Sequence, residues 1–182
     1  MRYFLDTELV DTGYSIDLIS LALVAEDGRE FYALNVNCKW ELASPWLWEN
    51  VLIYLPPKPT EYEYGPLHQK KGWLRHHEIA GRVYTFLGGE RDQHRLQVGG
   101  ETPDFWGYYA AYDWVAFCQL YGRMIDLPSG LPRHCNDLKQ WCNQLGNPSL
   151  PDKPKARHYA LADARWNKQA WEFLHAHEAS LR

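Results

Sequence analysis

Three stretches near the start decide the fold: Tyr3-Phe4-Leu5-Asp6-Thr7-Glu8, Ile16-Asp17-Leu18-Ile19-Ser20-Leu21-Ala22-Leu23-Val24-Ala25, and Phe31-Tyr32-Ala33-Leu34-Asn35-Val36. The first two are apolar runs of buried-strand character, and the third alternates as a returning strand. Between the last two, Glu26-Asp27-Gly28-Arg29 supplies the Asp-Gly chemistry of a tight turn. A three-strand meander therefore opens the chain, its first strand ending at Asp6-Thr7-Glu8.

Working outward, Ser44-Pro45 is an N-cap followed by Pro at the first helical position, which predicts a helix over residues 46–55. Pro56-Pro57-Lys58-Pro59 ends it, and residues 56–68 read as loop. A second helix is predicted over 69–87, with Leu74, Ile79, Val83 and Phe86 on one face and Gly88-Gly89 as its stop. Residues 90–104 are polar and Gly-rich, hence loop. Residues 105–112 read as a strand running into Asp113, and 114–121 as a helix closed by Gly122. Asn136 or Asp137 caps a helix to about Leu145, and a Pro/Lys-rich connection leads to a last helix over 159–179. Strands first, then strands mixed with helices, describe an α/β chain with an antiparallel edge, here expected to form one domain over residues 1–182.

Composition narrows the function. Apolar residues are 46% and charged residues 23% of 182, a globular balance. Net charge is −4, which argues against coating long duplexes, although a short single-stranded end can still be gripped. Cys38, Cys118, Cys135 and Cys142 form no Cys-x-x-Cys pair, so a zinc ribbon or redox dithiol is not expected. The start turns acidic at Asp6 before any signal-like apolar region, and no run approaches a membrane span, so a cytoplasmic location is expected. Aromatic residues reach 15%, a share that suits cores, interfaces and base stacking alike.

Asp6 and Glu8, two apart on a strand, leave the same face, and adjacent carboxylates suit a hard cation such as Mg²⁺ or Mn²⁺. Taken alone, the pair reads first as an exposed polar strand end. Asp113, between an aromatic strand and an apolar helix, reads alone as an N-cap. His158 and Asp163 converge on one point only if His158 lies on the lead-in and Asp163 in the first turns of the last helix.

In order, Asp-x-Glu on an early strand, a later Asp at a strand-to-helix junction and a C-terminal His-x4-Asp resemble the DEDDh 3′-to-5′ exonucleases, which have a ribonuclease-H-like fold. Phe4-Leu5-Asp6-Thr7-Glu8, residues 16–24, Ala111-Tyr112-Asp113-Trp114-Val115-Ala116 and His158-Tyr159-Ala160-Leu161-Ala162-Asp163-Ala164-Arg165 resemble one branch of that family. It is that of the small bacterial and phage exoribonucleases related to the mycobacterial polyadenylate-specific 3′-exoribonuclease. The second motif departs from the Asn-x-x-Phe-Asp form of many members and reads Tyr112-Asp113.

The resemblance implies a ribonuclease-H-like mixed sheet, antiparallel strands followed by parallel ones, flanked by helices. It implies release of nucleoside 5′-monophosphates from RNA 3′ ends, and a homodimer. Asp6, Glu8, Asp113 and Asp163 would hold two divalent cations, and His158 would act as general base. Leu9 and Val10, just after the carboxylates, either wedge against the terminal base while their backbone meets the ribose or pack as plain loop, and Glu8 is counted with them as substrate-binding. Two rivals stand beside it, a DNA exonuclease using the same site and a catalytically idle nucleic-acid-binding module. Other conspicuous residues carry plainer readings. Trp106, Tyr109 and Trp114 read as core before base platforms, and Lys70, Lys71 and Arg75 as a solvated helix face before a phosphate track. Trp46, Trp48, Trp166 and Trp171 read as core or interface anchors, and His76-His77 as unassigned.

Overall fold

The computed structural model describes residues 1–92, 95–98, 102–154 and 158–182. A six-stranded mixed sheet runs through it in the order β4-β3-β2-β1-β7-β8. Strands β1 (Arg2–Asp11), β2 (Ile16–Ala25) and β3 (Glu30–Asn35) form the antiparallel meander. The parallel strands are β4 (Trp73–Leu74) against β3, β7 (Asp104–Gly107) against β1, and β8 (Asn136–Asp137) against β7. This is the α/β arrangement expected, and it is consistent with a ribonuclease-H-like sheet.

Helices cover both faces. On one, α3 (His76–Phe86) and α4 (Ala111–Gln119) pack on Tyr3, Leu5, Leu21, Leu23 and Phe105. On the other, α6 (Ala160–Ser180) lies over Phe4, Ala22 and Val24 through Ala160 and Ala164, and α5 (Leu138–Gln144) packs beside it. The small residues Ala22, Ala160 and Ala164 let α6 come close to the sheet, and this closeness positions the site. Strand β2, at the sheet's middle, is buried along nearly its whole length, which explains its unbroken apolar run.

Several boundaries differ from expectation. Strand β1 continues to Asp11, so Asp6 and Glu8 lie mid-strand. The helix expected over 46–55 divides into α1 (Pro45–Asn50), capped by Ser44 as anticipated, and a 3₁₀ turn at Leu52–Tyr54. Val51 and Leu52 turn inward onto Val10, Ile19, Cys38 and Leu47, which takes Val51 out of helical geometry. The helix expected over 69–87 divides into α2 (Pro66–Lys70) and α3. Gly72 adopts φ +88°, and Trp73-Leu74 then extends to pair with Leu34-Asn35.

The strand expected to reach Tyr112 stops at Gly107, where a side chain would come within 2.8 Å of Ala110 Cβ. That tight return starts α4 two residues before Asp113, which is therefore not its N-cap. Within the loop expected at 90–104, β5 (Gly89–Asp92) and β6 (Arg95–Val98) pair as a separate hairpin. Residues 93, 94 and 99–101 of that loop, and 155–157 of the lead-in to the last helix, lie outside the described residues. Among the described residues, no helix is long and apolar enough to cross a membrane.

Candidate active site

Asp6 and Glu8 face α6 from the middle of β1, because residues two apart on a strand share a side. One turn into α6, Asp163 meets them. One carboxylate oxygen from each of the three lies within 4.8 Å of the others. All three side chains are half-buried.

Asp113 joins from α4. Beyond the last β1–β7 partner, Phe4↔Trp106, side chains take over the edge of β1. Thr7 N–H and Thr7 Oγ1 both donate to Asp113 Oδ1, at 2.9 and 2.5 Å. Two residues earlier, Asn167 Nδ2 of α6 donates to the Leu5 carbonyl at 2.8 Å. Asn167 is 1% exposed and sits one helical turn after Asp163. The two helices that carry Asp113 and Asp163 thus grip the same strand edge at positions flanking Asp6.

Four carboxylates gathered out of water repel one another. Burial, and then the charges of Asp113, Glu8 and Asp163, hold the Asp6 carboxyl well above the usual range. Burial, followed by Asp163 and Asp113, pushes Glu8 up to about 8. Burial raises Asp113 to about 6 against the opposing bonds from Thr7. Such a set of hard oxygen donors, short of positive charge, fits a divalent cation such as Mg²⁺ or Mn²⁺.

The other expected residues are placed unevenly. His158 lies two residues before α6, exposed, with φ +62° and its ring edge-on to Trp46 at 4.8 Å between centroids. It therefore stands on the lead-in, outside the tight carboxylate trio. A bulge between Glu8 and Leu9 shifts the pairing with β2. Past it, Leu9 is half-buried against the larger core cluster. Val10 is 0% exposed among Ile19, Leu47, Val51 and Leu52. A fully covered Val10 side chain offers no surface to a base, whereas the half-buried Leu9 keeps some.

Trp114 and Trp166 are core, whereas Tyr109, Trp46 and Trp48 are exposed. Trp106 and Trp171 are half-buried and pack with Trp141. Lys70 and Lys71 are solvated, and the Arg75 guanidinium lies over Tyr64. The main chain of His76 donates to Asn37 Oδ1.

Sequence reading missed Thr7 and Asn167. The four-residue spacing of Asp163 and Asn167 on one helical stripe was the available signal for Asn167. Thr7 is recognisable only once its distant partner Asp113 is in place.

No family model matches the chain. Two curated proteins, both named 3′-5′ exoribonuclease, come from Mycobacterium tuberculosis strains CDC 1551 / Oshkosh and ATCC 25618 / H37Rv. Each is 38% identical to this chain over 165 residues, 91% of the chain and 88% of the relative.

Proposed function

The chain belongs to the family of 3′-5′ exoribonucleases that those relatives represent, and from that membership we propose that it removes nucleotides from RNA 3′ ends as a DEDDh-type, ribonuclease-H-like enzyme. The observation that carries the mechanistic part is the convergence of Asp6, Glu8 and Asp163, with Asp113 held beside them by Thr7.

Asp6, Glu8, Asp113 and Asp163 would hold two divalent cations. When bound, these supply an activated water and neutralise charge on the scissile phosphate and its leaving oxygen. The chain's own residues do the rest. Thr7 fixes one Asp113 oxygen, leaving the other for the site. His158 accepts the water's proton at an imidazole nitrogen, after its lead-in brings the ring from Trp46 toward the carboxylates. The half-buried Leu9 side chain bears on the terminal base, while Glu8 and the nearby backbone meet the ribose. The product is a nucleoside 5′-monophosphate. The working unit is a homodimer.

End-labelled single-stranded RNA and DNA of equal sequence, each with Mg²⁺, Mn²⁺ or EDTA, test this reading. Metal-dependent shortening of RNA from its 3′ end is expected. Efficient cutting of circular RNA would overturn it, and equal or faster DNA trimming would move the substrate to DNA.

A further inference from the structure

A cluster of four carboxylates must receive a polyanion, so any cation beside it bears on function. Most basic side chains along α6 are already engaged. Arg165 is bidentate to Glu30 at 2.6 and 2.7 Å, and Lys168 Nζ donates to the Glu26 carbonyl at 2.9 Å. Lys153 differs. Among the described residues it forms no ion pair with a carboxylate. Its ammonium instead rests on two aromatic rings, 4.7 Å from the centroid of Tyr108 and 4.6 Å from that of Trp166.

Those rings stand edge to face, 5.0 Å apart at 84°, and form a right-angled notch. Both are positioned by the site's own elements. Trp166 lies three residues after Asp163 on α6 and is 3% exposed, and Tyr108 follows directly on β7. Trp166 Nε1 donates to the Pro151 carbonyl at 3.0 Å, which ties the strap bearing Lys153 to α6. The ammonium is held by the notch beside α6, about one helical turn from Asp163. It is thus a charge oriented by aromatic faces, which attract it without neutralising it.

We propose that Lys153 binds a backbone phosphate of the RNA 3′ end lying on the carboxylate cluster, its Nζ donating to non-bridging phosphate oxygens. The inference rests on the RNA-degrading reading above. An ammonium is a compact, strongly hydrated point charge suited to this role, and the notch restricts its stem before the strand arrives.

The test is a salt series of binding to single-stranded RNA, followed by fluorescence anisotropy in Ca²⁺, for wild type, Lys153→Met and Lys153→Arg. Met keeps an unbranched stem in the notch and removes the charge. Lys153→Met is expected to weaken binding about tenfold, the scale of one charge-assisted hydrogen bond. It should also flatten the slope of log affinity against log salt by about 0.7, one phosphate contact on a single strand. Lys153→Arg should keep the wild-type slope. Unchanged affinity and slope in Lys153→Met would overturn the assignment, as would a lowered Tm with the slope intact, which would make Lys153 a structural clamp. Binding is read apart from turnover. Wild-type protein that binds RNA with the expected Lys153 dependence but does not shorten it would sink the exonuclease reading and leave the phosphate contact standing.

Discussion

Replacing Asn167 with Leu tests how the site is held together. Leu keeps the branch point and heavy-atom count of Asn, so the change removes the amide's Nδ2 donor while adding some volume at the seam. The Leu5 carbonyl would then be buried under α6 with its 2.8 Å partner gone. Leaving a buried acceptor unpaired costs about 1–3 kcal/mol, so a loss of about 2 kcal/mol is expected. For a chain of 182 residues that is a Tm lower by roughly 4–8 °C. Activity should fall further than stability implies, because Asn167 fixes α6 against β1 one turn from Asp163 and one residue from Asp6. With the folded fraction still near one at 25 °C, kcat is expected to drop by about 10–10²-fold, the scale of an ångström-level misplacement of catalytic groups. Thermal unfolding and single-turnover RNA degradation measure the two effects. The exposed Gln169→Leu on the same helix serves as control and should move neither by much. An Asn167→Leu protein with wild-type Tm and kcat would show that the bond neither stabilises nor positions anything.

Thr7→Val keeps strand shape and removes one of the two donors to Asp113, and kcat should fall about tenfold while Tm shifts by only a few degrees. Asp113→Asn should abolish turnover with the fold retained, since Asp113 does not cap α4 and its burial against Thr7 persists; an active variant would remove Asp113 from the site. In EDTA, stability should decline as pH rises from about 4.5 to 8. Glu8 is raised above its unfolded value of 4.5 to about 8, so its favourable contribution is complete below the lower value and lost through the upper one. Mg²⁺ or Mn²⁺ should reverse that decline at pH 8, and denaturant midpoints with and without metal would reveal a flat profile if the carboxylates do not interact. His158→Asn should lower turnover about 10²–10⁴-fold while leaving metal-dependent mononucleotide binding in place, as calorimetry would report.

The meander was legible because its signals are local: the apolar runs, the Asp-Gly turn and the period-two placement of Asp6 and Glu8. The N-caps at Ser44 and Asp137 were legible for the same reason, each side chain accepting from a backbone N–H three residues on. What failed depended on distant partners. Trp73-Leu74 has helical neighbours in sequence, yet the edge of β3 draws it into the sheet. Asp113 looks like a cap until Thr7, 106 residues away, claims its oxygen. Val10 looks available beside the carboxylates until Leu47, Val51 and Leu52 cover it.

The seam between α6 and β1 also has a kinetic meaning. The meander needs only short-range closures, whereas Asn167 and Leu5 are joined across 162 positions. Strands β1–β3 can therefore be in place before α6 docks, and α6 can lift while they persist. Such partial openings lie below global unfolding in free energy and are seen as early amide exchange along one element. Detachment of the last helix would separate Asp163 from Asp6 and Glu8, so undocking of that one element is enough to take the site apart.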